Sequence, residues 1–232
     1  MDPQTLVTKE ATPLEKKLHR RKFLMYTGGF ASAAALITTV GCTKNDDVNN
    51  GMNGINLGSG DVGILNYAYA LEQLEAAFYT MVVAATSTGL SASEMNLFKD
   101  IRDHEVAHRE FFKSALSSNA IPALEVDFSS IDFTKRDSIL ATAQAFEDLG
   151  VSAYNGAGPL LKDGGNLLIA GKIVSVEARH AAYIRDVINN GSFADSTAVD
   201  ANGLDLSRTP TEVLGIAKTY LKSTLNASNL PK

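Results

Sequence analysis

The chain has 232 residues, of which 45% are hydrophobic and 20% are charged, as in a soluble globular protein with one sizeable core. The formal net charge of −5 at pH 7 does not favour nucleic acid or an anionic membrane surface, and no nucleic-acid partner is expected. The chain has a single cysteine, which excludes an internal disulfide.

Residues 1–42 are predicted to be an export signal. Arg20 and Arg21 follow a long polar lead and precede a moderately apolar stretch rich in Ala, Thr and Gly. A basic region, an apolar segment and small residues in this order are typical of a secretory signal. The arginine pair and the weak hydrophobicity resemble a twin-arginine signal, a route that carries already folded proteins. We therefore expect an exported bacterial protein, located in the periplasm or anchored to the membrane.

Cys42 closes this segment, and residues 39–42, Thr-Val-Gly-Cys, resemble a lipoprotein cleavage box with Thr39 in place of the usual Leu. In such a box the cysteine becomes the lipidated first residue. The alternative is an uncleaved apolar anchor, because residues 23–41 are just long enough to span a membrane. Under either interpretation, membrane contact is expected only through this segment. Residues 43–60 are rich in Asn, Gly and Asp and are predicted to be a flexible tether.

The first pair of long helices is predicted to follow the tether. One helix begins at Asp61, a plausible N-cap, and keeps apolar residues at helical spacing up to a break at residues 87–89. Ser91 or Ser93 can cap the next helix. A connection of about 17 residues, 119–135, then carries a proline and strand-like alternation.

A second pair of helices is predicted near residues 136–161 and 166–189, separated by Lys-Asp-Gly-Gly. Two short connections and one long connection fit an all-α, four-helix bundle with a single crossover, over residues 61–190. The remaining residues, 191–232, are predicted to form an extension with a short helix that has Pro210 at its first turn.

The two helical pairs repeat each other, which indicates an internal duplication. The matched residues are Glu72 with Glu147 and Tyr79 with Tyr154 at an offset of 75, and Glu105 with Glu177 and His108 with His180 at an offset of 72. Every Glu-x-x-His pair of the chain takes part in this match, so it is not explained by shared Ala and Leu content.

The matched acids and histidines are predicted to face the bundle interior. Residues three apart on a helix share a face, so each Glu-x-x-His projects to one side, within an apolar stripe. A buried carboxylate costs several kcal/mol unless it is paired or bound to a metal. Two divalent cations would balance four carboxylates, and this pattern is that of dimetal carboxylate bundles. The predicted metal ligands are Glu72, Glu105, His108, Glu147, Glu177 and His180.

Three segments carry a family resemblance: residues 71–79 (LEQLEAAFY), 104–112 (HEVAHREFF) and 176–184 (VEARHAAYI). They resemble the ferritin-like superfamily, and in particular exported bacterial ferritin-like proteins related to plant desiccation-associated proteins. The resemblance implies that Glu105 and Glu177 bridge two metals. It also implies that one metal is completed by Glu72 and His108, and the other by Glu147 and His180.

Other polar residues near the predicted site allow more than one interpretation. Glu75 competes with Glu72 for the same face, and the duplication favours Glu72 because Glu75 aligns with a glycine. Tyr79 and Tyr154 are candidate catalytic residues, whose hydroxyls would act in hydrogen bonding or in radical and electron transfer, or else are ordinary buried tyrosines. His104 points about 100° away from Glu105, which favours a surface or supporting role over ligation.

The ligand set, carboxylates and imidazoles without thiolate, suits two Fe or Mn ions. Iron would permit chemistry on O₂, peroxide or ferrous iron, as an oxidase or peroxidase, and manganese would permit catalase-like chemistry; stress protection is the expected role. The alternative is a non-catalytic stress or structural protein that keeps the bundle. An iron-storage shell is disfavoured for a tethered chain, whereas a homodimer is compatible with the fold.

Overall fold

The computed structural model describes residues 54–232. The export signal predicted for residues 1–42 and most of the predicted tether lie outside the described residues. The end of that tether belongs to the fold, because Ile55–Asn56 (β1) pairs in parallel with Leu225–Asn226 (β2) and Leu57 is fully buried. The prediction of a flexible tether is therefore wrong for these last residues, whose strand partner lies far away in the sequence.

The all-α bundle with one long crossover is confirmed. Four helices of similar length form it: α1 is Gly60–Ala84, α2 is Ala92–Leu116, α3 is Arg136–Ala157 and α4 is Gly164–Ile188. Helices α1 and α2 pack as one hairpin, and α3 and α4 as the other. The short C-terminal helix α5, Pro210–Ala217, has proline in its first turn as expected. Within residues 54–232, no helix is both long and apolar enough to cross a membrane.

The starts of the helices show which of the predicted N-cap residues cap a helix in the structure. Ser91 caps α2 in a reciprocal capping box with Glu94, as one of the two predicted alternatives. Asp61, in contrast, does not cap α1: Ser59 precedes the helix, and Asp61 lies in the first turn. Its carboxylate instead accepts hydrogen bonds from the backbone of Lys162 and Asp163, which ties the start of α1 to the turn between α3 and α4.

The crossover, residues 120–135, lies against the outer face of α1. Asn66 donates to the carbonyl oxygens of Leu57 and Asn119, and Gln73 accepts from the backbone N–H of Leu124. These bonds satisfy backbone groups that would otherwise be buried without partners. As a result the middle of α1 is buried on most sides, and its two glutamates, Glu72 and Glu75, lie away from solvent.

The C-terminal extension is part of the same packed body. The Arg208 carbonyl approaches α3 so closely that a Cβ at Gly156 would lie 1.8 Å from it, so only glycine fits there. The backbone N–H of Arg208 donates to the Ser152 carbonyl, and the N–H of Lys222 donates to Glu125 in the crossover. The extension thus holds both α3 and the crossover in place around the bundle.

Candidate metal centre

The six side chains predicted as metal ligands meet at the centre of the bundle. The four glutamates are fully buried, His180 is 5% exposed, and one acid comes from each helix. They form two overlapping groups in which ligand atoms lie within 4.8 Å of one another: Glu72, Glu105, His108 and Glu177, and Glu105, Glu147, Glu177 and His180. Glu105 and Glu177 belong to both groups, which is the arrangement that the family resemblance implies for two bridging carboxylates.

Each histidine directs Nδ1 towards three carboxylates. Nδ1 of His108 lies 2.9 Å from Glu177, 3.4 Å from Glu72 and 3.7 Å from Glu105. Nδ1 of His180 shows the same arrangement, at 3.0 Å from Glu105, 3.4 Å from Glu147 and 3.8 Å from Glu177. The duplicated sequence therefore folds into two similar half-sites related by the shared acids.

The carboxylate oxygens and imidazole nitrogens that face the centre do not form hydrogen bonds with one another, although some of them are close. Within the described residues, eight buried atoms of the six side chains have no partner in hydrogen-bond geometry: Oε2 of Glu72 and Glu147, both carboxylate oxygens of Glu105 and Glu177, and Nδ1 of His108 and His180. Buried polar atoms are normally hydrogen-bonded, so a cluster of such atoms calls for a bound ion, ligand or water. Oxygen and imidazole atoms that converge without bonding each other fit two divalent cations.

Burial and mutual charge control the protonation of this cluster. Burial, together with the charge of Glu177, raises the pKa of Glu105 well above its usual value. Burial also raises the pKa of Glu147, to about 7, although His180 partly offsets this effect. The pKa of Glu177 is lowered to about 2 despite its burial, because both histidines contact it. Without a cation, only the nearby imidazoles favour the charged form of these acids, and burial opposes it.

Each of the two candidate catalytic tyrosines contacts a glutamate that is not shared between the two groups. The hydroxyl of Tyr79 on α1 donates to Oε1 of Glu147 on α3, at 2.5 Å. The hydroxyl of Tyr154 on α3 donates to Oε1 of Glu72 on α1. Each of these glutamates therefore keeps one oxygen for a tyrosine and turns the other towards a histidine. The tyrosines lie one carboxylate away from the centre, in positions that orient its acids.

Glu75 is a fifth buried acid that lies outside both groups. It is 4% exposed, and within the described residues no hydrogen bond or basic partner accompanies it. Burial and the charges of four neighbouring glutamates raise its pKa well above the usual value. The structure thus brings Glu72 rather than Glu75 into the cluster, and it leaves Glu75 beside the cluster, where burial favours its protonated form.

His104 lies on the outer side of His180. Its Nδ1 is 2.9 Å from Nε2 of His180, and the two rings are nearly parallel, with planes 8° apart and centroids 5.1 Å apart. The sequence predicts a surface or supporting position for His104, but no pattern along the chain identifies His180 as its partner. That contact depends on how α2 and α4 pack against each other.

The four-helix bundle and its central cluster of carboxylates and histidines place the chain in the class of ferritin-like proteins. The cluster is compatible with two metal ions. The ferritin-like domain family matches residues 60–190, which is more than half of the chain, and the chain belongs to this family. Among curated proteins, none matches the chain.

Proposed function

We propose that this chain is an exported bacterial ferritin-like protein of the desiccation-related type, whose centre binds two Fe or Mn ions and performs oxidative chemistry in stress protection. The observation that carries the metal assignment is the pair of overlapping groups that share Glu105 and Glu177. Their eight unpartnered buried atoms supply a ligand set for two cations. Export rests on residues 1–42 and Cys42, which lie outside the described residues.

The donor set favours Fe or Mn over other metals. Carboxylates and imidazoles are hard and intermediate ligands, and no thiolate lies in either group. Four carboxylates also balance the charge of two divalent ions. When bound, either metal would supply the change of oxidation state that reactions with O₂ or peroxide require.

The surrounding residues hold the acids and keep bulk water away from them. Tyr79 and Tyr154 fix one oxygen of each non-shared glutamate, so the other oxygen stays directed to the centre. Phe78, Phe98 and Phe112 are nearly or fully buried in the surrounding core. Burial and the neighbouring carboxylates raise the pKa of Glu75 beside the cluster, a shift that favours a role in proton transfer.

A pocket beside Tyr154 favours an apolar oxidant. It offers about 20 Å³ of space to a water-sized molecule, and its lining includes Ile64, Leu71, Phe112 and Ala157. Dioxygen is apolar and would partition into such a surface, whereas hydrogen peroxide would lose hydrogen bonds to water. Among O₂, peroxide and ferrous iron as reaction partners, this pocket supports O₂ as the oxidant.

Metal analysis of the purified full chain tests the proposal. We expect about two ions of Fe or Mn per chain, and consumption of O₂ by the reduced, metal-loaded protein. Glu105→Gln should lose most of the metal, because Glu105 belongs to both groups. Glu110→Gln is the matched control, since Glu110 lies on the same helix but pairs with Arg109 at the surface. A chain that takes up no metal would disprove the proposal, and a loaded chain that consumes neither O₂ nor peroxide would be a non-catalytic bundle.

Cell fractionation tests the exported location separately. The full chain should appear in the periplasm or membrane fraction, and Arg20→Lys with Arg21→Lys should retain it in the cytoplasm. Cys42→Ser should release the chain from the membrane if Cys42 is lipidated. A wild-type chain found only in the cytoplasm would contradict export and leave the metal assignment intact.

A further inference from the structure

We propose that His104 is a positioning residue that makes the two metal positions unequal, so that the position beside Glu147 and His180 binds its ion more tightly than the position beside Glu72 and His108. This inference rests on the proposed metal function. It concerns the difference between the two half-sites, which the duplicated ligands alone would make alike.

The contact between the two histidines is suited to orienting a ligand. Nε2 of His180 lies 2.9 Å from Nδ1 of His104, and the opposite nitrogen of His180, Nδ1, faces Glu105 at 3.0 Å and Glu147 at 3.4 Å. If Nε2 carries the proton and donates it to His104, the lone pair on Nδ1 is directed at the centre. The two ring planes are only 8° apart, which suits an in-plane hydrogen bond, and this bond limits rotation of the His180 ring.

The other half-site lacks this support. The duplication aligns His104 with Val176, which cannot accept a hydrogen bond. Within residues 54–232, Nε2 of His108 makes no hydrogen bond, and the His108 side chain is 14% exposed against 6% for His180. No residue from 54 to 232 holds the outer nitrogen of His108, so that ring is less firmly held.

Partners that hold a metal-bound histidine typically change metal affinity by 10–100-fold. We therefore expect two separate binding steps when the metal-free full chain is titrated with Mn²⁺, followed by calorimetry. In His104→Leu, which cannot accept a hydrogen bond, the tighter step should weaken by about 10–100-fold and the weaker step should stay unchanged. His104→Asn, whose side-chain oxygen can take the place of Nδ1, should restore most of the affinity.

Two further measurements separate positioning from a general structural effect. Asp103→Ala is the control, because Asp103 is exposed beside His104 and, among the described residues, pairs only with Arg102. In the Co²⁺-loaded protein, the hyperfine-shifted N–H proton of His180 should exchange with water more slowly than that of His108. His104→Leu should remove this difference, whereas a merely structural role would leave it in place.

The outcomes are distinct for the two proposals. Two equal binding steps in the wild type, or titration curves of His104→Leu that match the wild type, would overturn the role of His104 while two ions still bind. A wild-type chain that binds no Mn²⁺, Fe²⁺ or Co²⁺ would overturn the proposed metal function and this inference together.

Discussion

Gly150 on α3 lies directly against the carboxyl group of Glu75 on α1: a Cβ atom at Gly150 would be 3.0 Å from Oε1 of Glu75. The two residues are matched positions of the duplication, 75 residues apart. One half of the bundle therefore carries a fifth buried acid, Glu75. The other half has a glycine at the matching position, and its lack of a side chain leaves room for the Glu75 carboxyl group. The duplicated halves have diverged at the point where a second acid would not fit.

The close contact at Gly150 predicts that a Gly→Ala change in this helix is destabilising, which is the opposite of the usual effect. Ala is normally favoured over Gly inside a helix by about 0.5–1 kcal/mol. We expect Gly150→Ala to lower the free energy of unfolding by about 1–2 kcal/mol instead, because overpacking of the buried Glu75 carboxyl by the methyl group outweighs this gain. Urea unfolding of the metal-free protein measures this. In a Glu75→Ala background the same change should become stabilising; a loss there as well would mean that Glu75 is not the obstacle.

Glu75 also predicts a pH dependence. Its folded-state pKa is raised above the ordinary value of 4.5 by burial and by neighbouring carboxylates. When the pKa of an acid is higher in the folded than in the unfolded protein, its contribution to the free energy of unfolding is fully present below the unfolded-state pKa. That contribution is lost as the pH rises through the folded-state pKa. Glu75→Gln should therefore make the stability of the metal-free protein less dependent on pH above 4.5, with the largest gain over wild type at alkaline pH. Unfolding at pH 5 and pH 8 checks this, and an equal effect at both would contradict it.

Removal of a tyrosine hydroxyl should leave a buried acceptor without its donor. Tyr79→Phe leaves Oε1 of Glu147 unpaired in a fully buried site, which costs about 1–3 kcal/mol. The metal-free protein should be destabilised by that amount, and metal binding should weaken, because Glu147 becomes free to turn. Tyr183→Phe is the control, since Tyr183 is 56% exposed. Equal stability of the two variants would show that the Tyr79 hydroxyl does not hold Glu147.

Metal uptake should release protons near neutral pH. Burial lowers the pKa of His108 and His180, but contacts with the surrounding glutamates outweigh it and raise both values to about 12. Both imidazoles are therefore protonated at pH 7 in the metal-free protein, and each must lose its proton to bind a metal. Affinity for Mn²⁺ should rise with pH, and calorimetry in buffers of different ionisation enthalpy should report proton release. Binding that is independent of pH between 6 and 8 would argue against ligation by these histidines.

Much of the bundle and of the cluster follows from spacing along the chain. Glu105 and His108 share a helix face because they are three residues apart, and this holds for any helix that contains them. The duplication then places Glu177 and His180 in the same relation and favours Glu72 over Glu75. Ser91 and Glu94 likewise form their capping box within one turn. Such features depend on contacts between residues close in sequence.

Other features could not be predicted because they join residues far apart in the chain. Asp61 has the side chain of an N-cap, but it binds the backbone of Lys162 and Asp163 instead. Ile55 finds its strand partner at Leu225, at the opposite end of the described chain. Both outcomes depend on where the rest of the chain is placed, which local propensity does not report.

The amino-acid order by itself determined the helices, the duplicated pattern and the identity of the six clustered side chains, since a helix converts spacing into a common face. Only the tertiary structure decided which nitrogen of His180 meets the acids, which tyrosine holds which glutamate, and why Gly150 stands opposite Glu75. Those relationships depend on the rotation and register of one helix against another. Packing of the whole bundle, with its crossover and C-terminal extension, sets both of them.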